Sequence, residues 1–326
     1  MSLNIAVVID VEPWGPYSCI KRTSNLKSLF DLNYASDSLL RMIEILLDRR
    51  GIPLALMIEA DIGIGDSLLN FLEEQSLLRW KTNKVSLGLH VHAWRKRNKN
   101  GFWFQEFWDE EYQRMNCEYA LKLFNYYNIK PRFHRQGWLA FSKGIFNFLG
   151  DRQIVDLTAE PGHALSINDI LYRLKTRSNH IGYYDWSRLN ISSSFIGVNQ
   201  AKKVLHLVSS IPKGVRLSIE YMPRLRPSFG KLSKMILDLA SIQKVPAVLF
   251  IYSHNYSTNE TMLRQTCEFL DVLEQVGDAR GIKIQKTGLE KLVEQITRSK
   301  YLPYLRLMSY LPTKVKTTMF RFLSQI

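Results

Sequence analysis

Two short runs hold the residues best able to do chemistry together. Asp10-Val11-Glu12 closes the apolar stretch Ile5 to Ile9, and His90-Val91-His92 closes the stretch Val85 to Leu89. On a β-strand, side chains two positions apart project from the same face. Each run therefore offers a pair, two carboxylates and two imidazoles, and the pairs meet if the strands lie side by side. Two carboxylates on one face repel unless a cation or a proton separates them. With two imidazoles they make a donor set for a divalent ion and leave one carboxylate as base, which is what a metal-dependent hydrolase needs. Strand-end carboxylates also cap helices and turns, and a lone strand histidine is commonly structural. The pairing at i and i+2, twice over, favours ligands.

The elements that would position these runs alternate along the chain. Strand patterns at Ile5–Ile9, Pro53–Ile58, Val85–Val91, Pro131–Arg135, Ile154–Leu157, Val215–Tyr221 and Pro246–Tyr252 are separated by helical ones at Ser36–Arg50, Ser67–Trp80, Phe107–Tyr127, Lys143–Leu149 and Gly230–Gln243. Helices at Thr258–Gly277 and Gly288–Arg298 follow, with a short strand at Ile282–Ile284 between them. His163 to Ser194 reads as loop with short strands. Apolar, non-alternating strands joined through helices predict an α/β fold with a parallel sheet, and seven or eight units suit a (β/α) barrel. Such barrels carry their chemistry at the C-terminal strand ends. Polar groups gather there: besides the two runs, Glu59 and Asp61, His134 and Arg135, Asp156 and Glu160, Glu220, and Ser253 with His254.

Composition sets the outer bounds. At 46% hydrophobic, 12% aromatic and 23% charged residues over 326 positions, the chain can bury a large core, and no window reads as a membrane span. Cys19, Cys117 and Cys267 lack metal or disulfide spacing. Met1 to Asp10 reads as a strand and not as a leader, which gives a cytoplasmic expectation. The net charge of +14 comes without any nucleic-acid motif, so no nucleic-acid partner is expected. Residues 1–299 read as the barrel domain. Residues 300–326 form a basic amphipathic segment with five cations, no acid, and breaks at Pro303 and Pro312. That segment either packs on the domain as terminal helix or lies on an anionic membrane, where a lipid-linked substrate would be met.

Taken in order, the strand-end runs resemble the four motifs of the polysaccharide deacetylases, the NodB-like carbohydrate esterases, over residues 3 to 298. Asp10-Val11-Glu12 resembles the first motif. Leu87-Gly88-Leu89-His90-Val91-His92-Ala93-Trp94 resembles the second, in a branch whose histidines are i, i+2 instead of i, i+4. Phe133-His134-Arg135-Gln136-Gly137-Trp138 resembles the third, and Phe250-Ile251-Tyr252-Ser253-His254-Asn255 the last. The aspartate that tunes the final histidine has two candidates, Asp156 and Asp185 beside Trp186.

The resemblance implies a NodB-like barrel that removes an acetyl group from an acetylated sugar, in surface-polysaccharide or lipid-linked glycan biosynthesis. It implies zinc, with cobalt or nickel as alternatives, on Glu12, His90 and His92. Asp10 would be the base, Arg135 its orienter and His254 the acid. Glu12, one residue further along than the family's aspartate, leaves the division between base and ligand open. Trp94, Trp103, Trp138, Asp156, Glu160 and Asn255 are candidate substrate contacts. The stretch Trp94–Trp108, rich in aromatics and cations, follows the histidines and either overhangs the site against a sugar or packs into the outer core. An amidohydrolase on a small amide is the rival enzyme reading, but that superfamily places HxH on its first strand. An inactive glycan-binding barrel is the rival outside catalysis.

Overall fold

The structure, a computed structural model, describes residues 1–15, 23–77, 83–96, 101–106, 109–137, 143–158, 196–199, 204–207, 217–241 and 247–298. The strands are β1 (Ser2–Val11), β2 (Leu54–Glu59), β3 (Val85–Val91), β4 (Trp94–Lys96), β5 (Trp103–Gln105), β6 (Phe133–Gln136), β7 (Val155–Asp156), β8 (Ile196–Asn199), β9 (Val204–Leu207), β10 (Ala247–His254) and β11 (Lys283–Gln285). The principal helices are α1 (Leu32–Met42), α2 (Ser67–Glu74), α3 (Glu110–Tyr126), α4 (Lys143–Arg152), α5 (Phe229–Ser241), α6 (Glu260–Ala279) and α7 (Leu289–Thr297).

Local chemistry starts and stops these helices. Asp31, Asp109 and Asn259 each accept the backbone N–H three residues on, at 3.0 Å, and so cap α1, α3 and α6. Glu110 and Glu111 add negative charge at the positive end of α3. Beyond α1 the chain runs on as a π-helical turn, Ile43–Arg49, and ends at Gly51, whose φ of +64° suits glycine.

The main sheet runs β10-β1-β2-β3-β6-β7-β9-β8, and β11 adds to β1. The pairings are parallel except β8 on β9. β1 is its centre. One edge pairs with β10 from Leu3 to Asp10; the other is shared, with β11 on Ser2–Asn4 and β2 on Val7–Val11. Alternation divides the core into two faces. Ile5, Val7, Ile9 and Val11 pack with Leu54, Leu89, Leu249 and residues of the flanking helices. Ala6 and Val8 pack on the inner side with Met57, Phe133, Leu157, Phe250 and Tyr252, above Leu289, Leu292 and Ile296 of α7. Asp10 and Glu12 continue this inner row.

The expected order of strands and helices is observed through most of the described chain, with three differences. First, the described sheet curls into a half-barrel and does not close, since β10 and β8 end the strand order without pairing. β8 turns back antiparallel, which ends the parallel ladder at that edge. Second, the strand expected at Val215–Tyr221 shrinks, among its described residues, to a bridge from Ser218 to Tyr252. A 3-10 turn, Ile219–Tyr221, takes over, and a short helix, Met222–Leu225, follows with Pro223 in its first turn. Third, the aromatic stretch after β3 contains an antiparallel ribbon, β4 on β5, with Trp94 opposite Gln105. Among the described residues no helix is long and apolar enough to cross a membrane. The segment 300–326, Trp138, Glu160, His163, Asp185 and Trp186 lie outside the described residues.

Candidate metal centre and active site

Register carries the inner-face polar groups to one place. Asp10 is paired with His254 across β1 and β10, Glu59 with His90 across β2 and β3, and His90 with Arg135 across β3 and β6. All lie at C-terminal strand ends. Glu12 Oε1 sits 3.0 Å from His90 Nε2 and 3.2 Å from His92 Nε2, and the two ring nitrogens are 2.8 Å apart. These three donors, from residues at most 6% exposed, form a cluster able to hold a cation. His90 donates Nδ1–H to the Arg135 carbonyl at 2.9 Å, which leaves Nε2 as a lone pair toward Glu12. Such hydrogen bonding of the far ring nitrogen is how a ligating histidine is fixed.

Carboxylates and imidazoles shift one another's protonation at this cluster. Burial by itself opposes ionisation of Glu12, yet the two imidazoles hold its carboxyl well below the usual carboxylate range. Burial likewise opposes protonation of His90, and the charges of Asp10 and Glu12 outweigh it and raise its pKa. For His92, Glu59 and Glu12 do the same. The carboxylates thus favour positive charge at the rings, which protons provide and a divalent ion would replace; the donor set of two imidazoles and a carboxylate fits one.

Asp10 borders the cluster. Arg135 donates Nε–H to its Oδ2 at 3.0 Å and Nη1–H to the Leu157 carbonyl at 3.2 Å, with the guanidinium lying 4.3 Å over the Tyr252 ring. Asp10 Oδ1 is buried and has no hydrogen-bond partner among the described residues. His254 Nε2 stands 3.7 Å from the same Asp10 oxygen, Oδ2. Its Nδ1 donates to Glu220 at 3.2 Å, and the same carboxylate oxygen accepts the His254 backbone N–H at 2.8 Å and the Ser257 hydroxyl at 2.8 Å. Burial disfavours the imidazolium. The Glu220 hydrogen bond and the charges of Glu12 and Asp10 overcome that and lift the His254 pKa to about 9. Burial also works against the Glu220 carboxylate, but His254 brings its pKa down to about 2. With 31% of its side chain exposed, His254 is the cluster member open to an incoming molecule.

The remaining sequence candidates separate. Trp94 is stacked on His92, with centroids 5.8 Å apart and planes 14° from parallel, and donates Nε1–H to Glu59 at 2.8 Å. Trp103 packs, half-buried, against the cluster of Trp14, Leu26, Ile64 and Trp94, so the ribbon's aromatics wall the site and also pack. Asn255 is fully buried, and its amide accepts the Glu12 N–H at 2.9 Å and donates to the Glu12 carbonyl at 3.0 Å. It holds the metal-ligand candidate in place, with no surface left for substrate. Asp156 lies on the other face of the sheet. Val155 and Leu157 belong to the inner cluster, so Asp156 and Thr158 point away from it. There Asp156 pairs with His134 at 3.2 Å and accepts from Thr158 at 2.5 Å, while His134 bonds Gln136 at 3.1 Å. Trp138 and Glu160 are outside the described residues.

No family model matches the sequence, and no curated protein matches it. Among solved structures, the fold is similar to the 4-alpha-glucanotransferase of Thermococcus litoralis, with a TM-score of 0.47 and 11% identity over 90% of this chain and 38% of that one. This chain therefore spans well under half of the glucanotransferase. It is also similar to a GH57-type branching enzyme from Pyrococcus horikoshii, with a TM-score of 0.47 and 10% identity over 90% of this chain and 70% of that one. A mutant CE4 family pseudoenzyme with restored enzymatic activity gives a TM-score of 0.41 and 9% identity over 90% of this chain and 68% of that one.

Several site residues have no role in the sequence reading. Glu220 and Glu59 are visible there as strand-end acids without partners. Their partners, His254 and Trp94, are 34 and 35 positions away. Asp61 turns out to staple the loop: its carboxylate accepts from Gly63 and Ile64 backbone N–H at 3.0 and 3.1 Å and from His92 N–H at 3.2 Å. Gly137 packs against His92, where a Cβ would fall 2.4 Å from the ring. Only the glycine of the third motif-like run hinted at this close approach.

Proposed function

We propose that the protein is a metal-dependent hydrolase that removes an acetyl group from an acetylated or acetamido sugar, as a divergent relative of the polysaccharide deacetylases. The observation that carries this reading is the convergence of Glu12, His90 and His92 on one point, beside an Asp10 held by Arg135 and a His254 held by Glu220. Glu12, His90 and His92 would hold the ion, with zinc expected and cobalt or nickel able to replace it. When bound, the ion supplies Lewis-acid chemistry, acidifying a water and polarising the acyl carbonyl.

The protein's own residues do the rest. Arg135 orients Asp10, whose free Oδ1 accepts the proton of the attacking water. The water oxygen bonds to the acyl carbon, and the bond from that carbon to the sugar nitrogen or oxygen breaks. His254, kept as imidazolium by Glu220, gives its Nε2 proton to the leaving atom, so acetate and a free amine or hydroxyl result. An acid and a base side by side at the candidate ligands, each held by its own partner, favour hydrolysis over mere binding. A lipid-linked substrate would involve the basic segment 300–326. Loss of co-sedimentation with anionic liposomes on truncation at Arg298 supports it, and equal binding removes it.

The test is metal analysis joined to acetate release from a panel of acetylated sugars. The wild type is expected to bind one divalent ion per chain and release acetate. His90→Ala and His92→Ala are expected to lose both. A folded wild type without affinity for zinc, cobalt or nickel overturns the reading.

A further inference from the structure

The two histidines are held in different ways. His90 lies within β3, and the neighbouring strand supplies the Arg135 carbonyl to its Nδ1. His92 lies one residue beyond β3, where no strand partner continues. The chain turns there, with Ala93 at a φ of +56°, an unfavourable value for alanine. Asp61 secures that turn through the His92 and Trp94 backbone N–H groups, but a backbone bond does not fix a ring. Besides Glu12 and His90 at its Nε2 side, three contacts set the ring. Trp94 stacks on it, Gly137 lies against it, and the side-chain amide of Gln105 bonds its Nδ1.

Gln105 comes from β5, the outer strand of the ribbon. Its residue is 8% exposed, the ribbon places it opposite Trp94, and the Glu106 N–H to Ala93 carbonyl bond at 3.0 Å ties it to the turn. In the structure the amide presents its NH₂ to Nδ1, and its Oε1 is buried with no hydrogen-bond partner among the described residues. That orientation makes His92 an Nε2–H donor to Glu12. A half-turn of the amide brings Oε1 to Nδ1, where it accepts Nδ1–H and frees Nε2 as a lone pair. A ligand needs the second arrangement.

The geometry points to Gln105 as the positioning residue that fixes His92 as an Nε2 ligand, so that the ribbon completes the metal centre from outside the sheet. This rests on the metal role given above to His92. The consequence is a coupling: whatever displaces the ribbon loosens one ligand of the ion, and leaves His90 and Glu12 in place.

Two variants and two measurements test it. Gln105→Leu keeps the volume and removes both amide ends; Gln105→Glu keeps an acceptor. Zinc and cobalt affinities are measured by chelator competition on full-length protein, with the circular-dichroism spectrum and melting curve of the metal-free chain as folding controls. Gln105→Leu is expected to bind about 10–100-fold more weakly, and Gln105→Glu within about threefold of wild type or tighter. ¹⁵N NMR of the His92 ring, at a pH where it is neutral, is expected to show Nδ1–H in wild type and a shift toward Nε2–H in Gln105→Leu. Affinity of Gln105→Leu within about twofold of wild type, with an unchanged tautomer, overturns the proposal. If the wild type binds no ion, the function proposed above falls, and the tautomer alone decides here: Nε2–H in wild type, or no change in Gln105→Leu, refutes the role of Gln105.

Discussion

The two faces of the sheet at the same strand ends make an instructive pair. On the outer face, His134, Gln136, Asp156 and Thr158 are at most 1% exposed and bonded to one another. On the inner face, Asp10, Glu12, His90 and His92 are nearly as buried, yet their carboxylates crowd together and Asp10 Oδ1 has no hydrogen-bond partner among the described residues. Residue types and positions along the strands are alike. A shift of one residue decides the face, and the face decides whether a polar group finishes a structural network or joins the cluster of candidate ligands. Polarity at a strand end is therefore a weak sign of chemistry, and buried carboxylates and imidazoles converging on one point are a stronger one.

Substitutions on the inner face test this most sharply. Asp10→Asn keeps the shape and removes the proton acceptor. Acetate release is expected to fall by about 10²–10⁴-fold while metal content holds. Glu12→Gln is expected to weaken metal binding first. Loss of metal from Asp10→Asn, with Glu12→Gln retaining it, would exchange the two roles.

A step down in size is the Glu220→Gln substitution, which acts through His254. In the proposed mechanism the imidazolium is the working form, and with a pKa of about 9 it persists through neutral pH. Without the Glu220 charge the pKa falls toward its ordinary 6.5, so the alkaline limb of kcat/KM moves down by as much as about 2.5 units. At pH 8 this corresponds to an activity loss of roughly ten- to thirtyfold, and at pH 6 to little. The stability that the raised pKa lends is complete below about 6.5 and vanishes as pH climbs through 9, so the variant's deficit in denaturant melts should also shrink over that window. An unmoved alkaline limb would remove His254 as the acid.

The outer face should respond in the opposite sense. Asp156→Asn takes a charge from the His134 and Thr158 contacts and is expected to lower stability by about 1–3 kcal/mol, measured by urea unfolding. Turnover per folded molecule should stay within about twofold. Loss of metal or turnover without loss of stability would make the outer network part of the site and dissolve the contrast.

The least effect on turnover is expected at Glu59, the inner-face acid bonded to Trp94. Burial, with the nearby charges of Glu12 and Asp61 adding to it, pushes its carboxyl well above the usual range despite the opposing pull of His92. An acid whose folded pKa is raised keeps its proton in the fold when the unfolded chain has lost it, so stability declines as pH rises above about 4.5. Glu59→Gln preserves an acceptor for Trp94 and removes this decline. In metal-free protein the variant should match wild type near pH 4 and exceed it at pH 7, by about 1.4 kcal/mol for each unit of the lift within that window. Parallel pH profiles of the two stabilities would refute the assignment.

Much of this site could be read before any fold was known. The i, i+2 spacing of Asp10 with Glu12 and of His90 with His92 requires shared faces on any extended strand, because alternation is a property of the backbone. Apolar runs joined through amphipathic helices call for a parallel sheet because both of its faces must be covered. Sequence thus determined the α/β class and the strand-end pairs. Tertiary structure decided the rest. Register between strands made Asp10 the neighbour of His254, and His90 the neighbour of Arg135, across separations of 244 and 45 positions, which no local pattern encodes. It sent Asp156 to the far side, committed Asn255 to the Glu12 backbone, and left the described sheet an open half-barrel. It also drew Gln105 and Glu220 to the histidines they hold. Such partners answer to distance and angle in space, and a residue's place in the chain fixes neither until the sheet has formed.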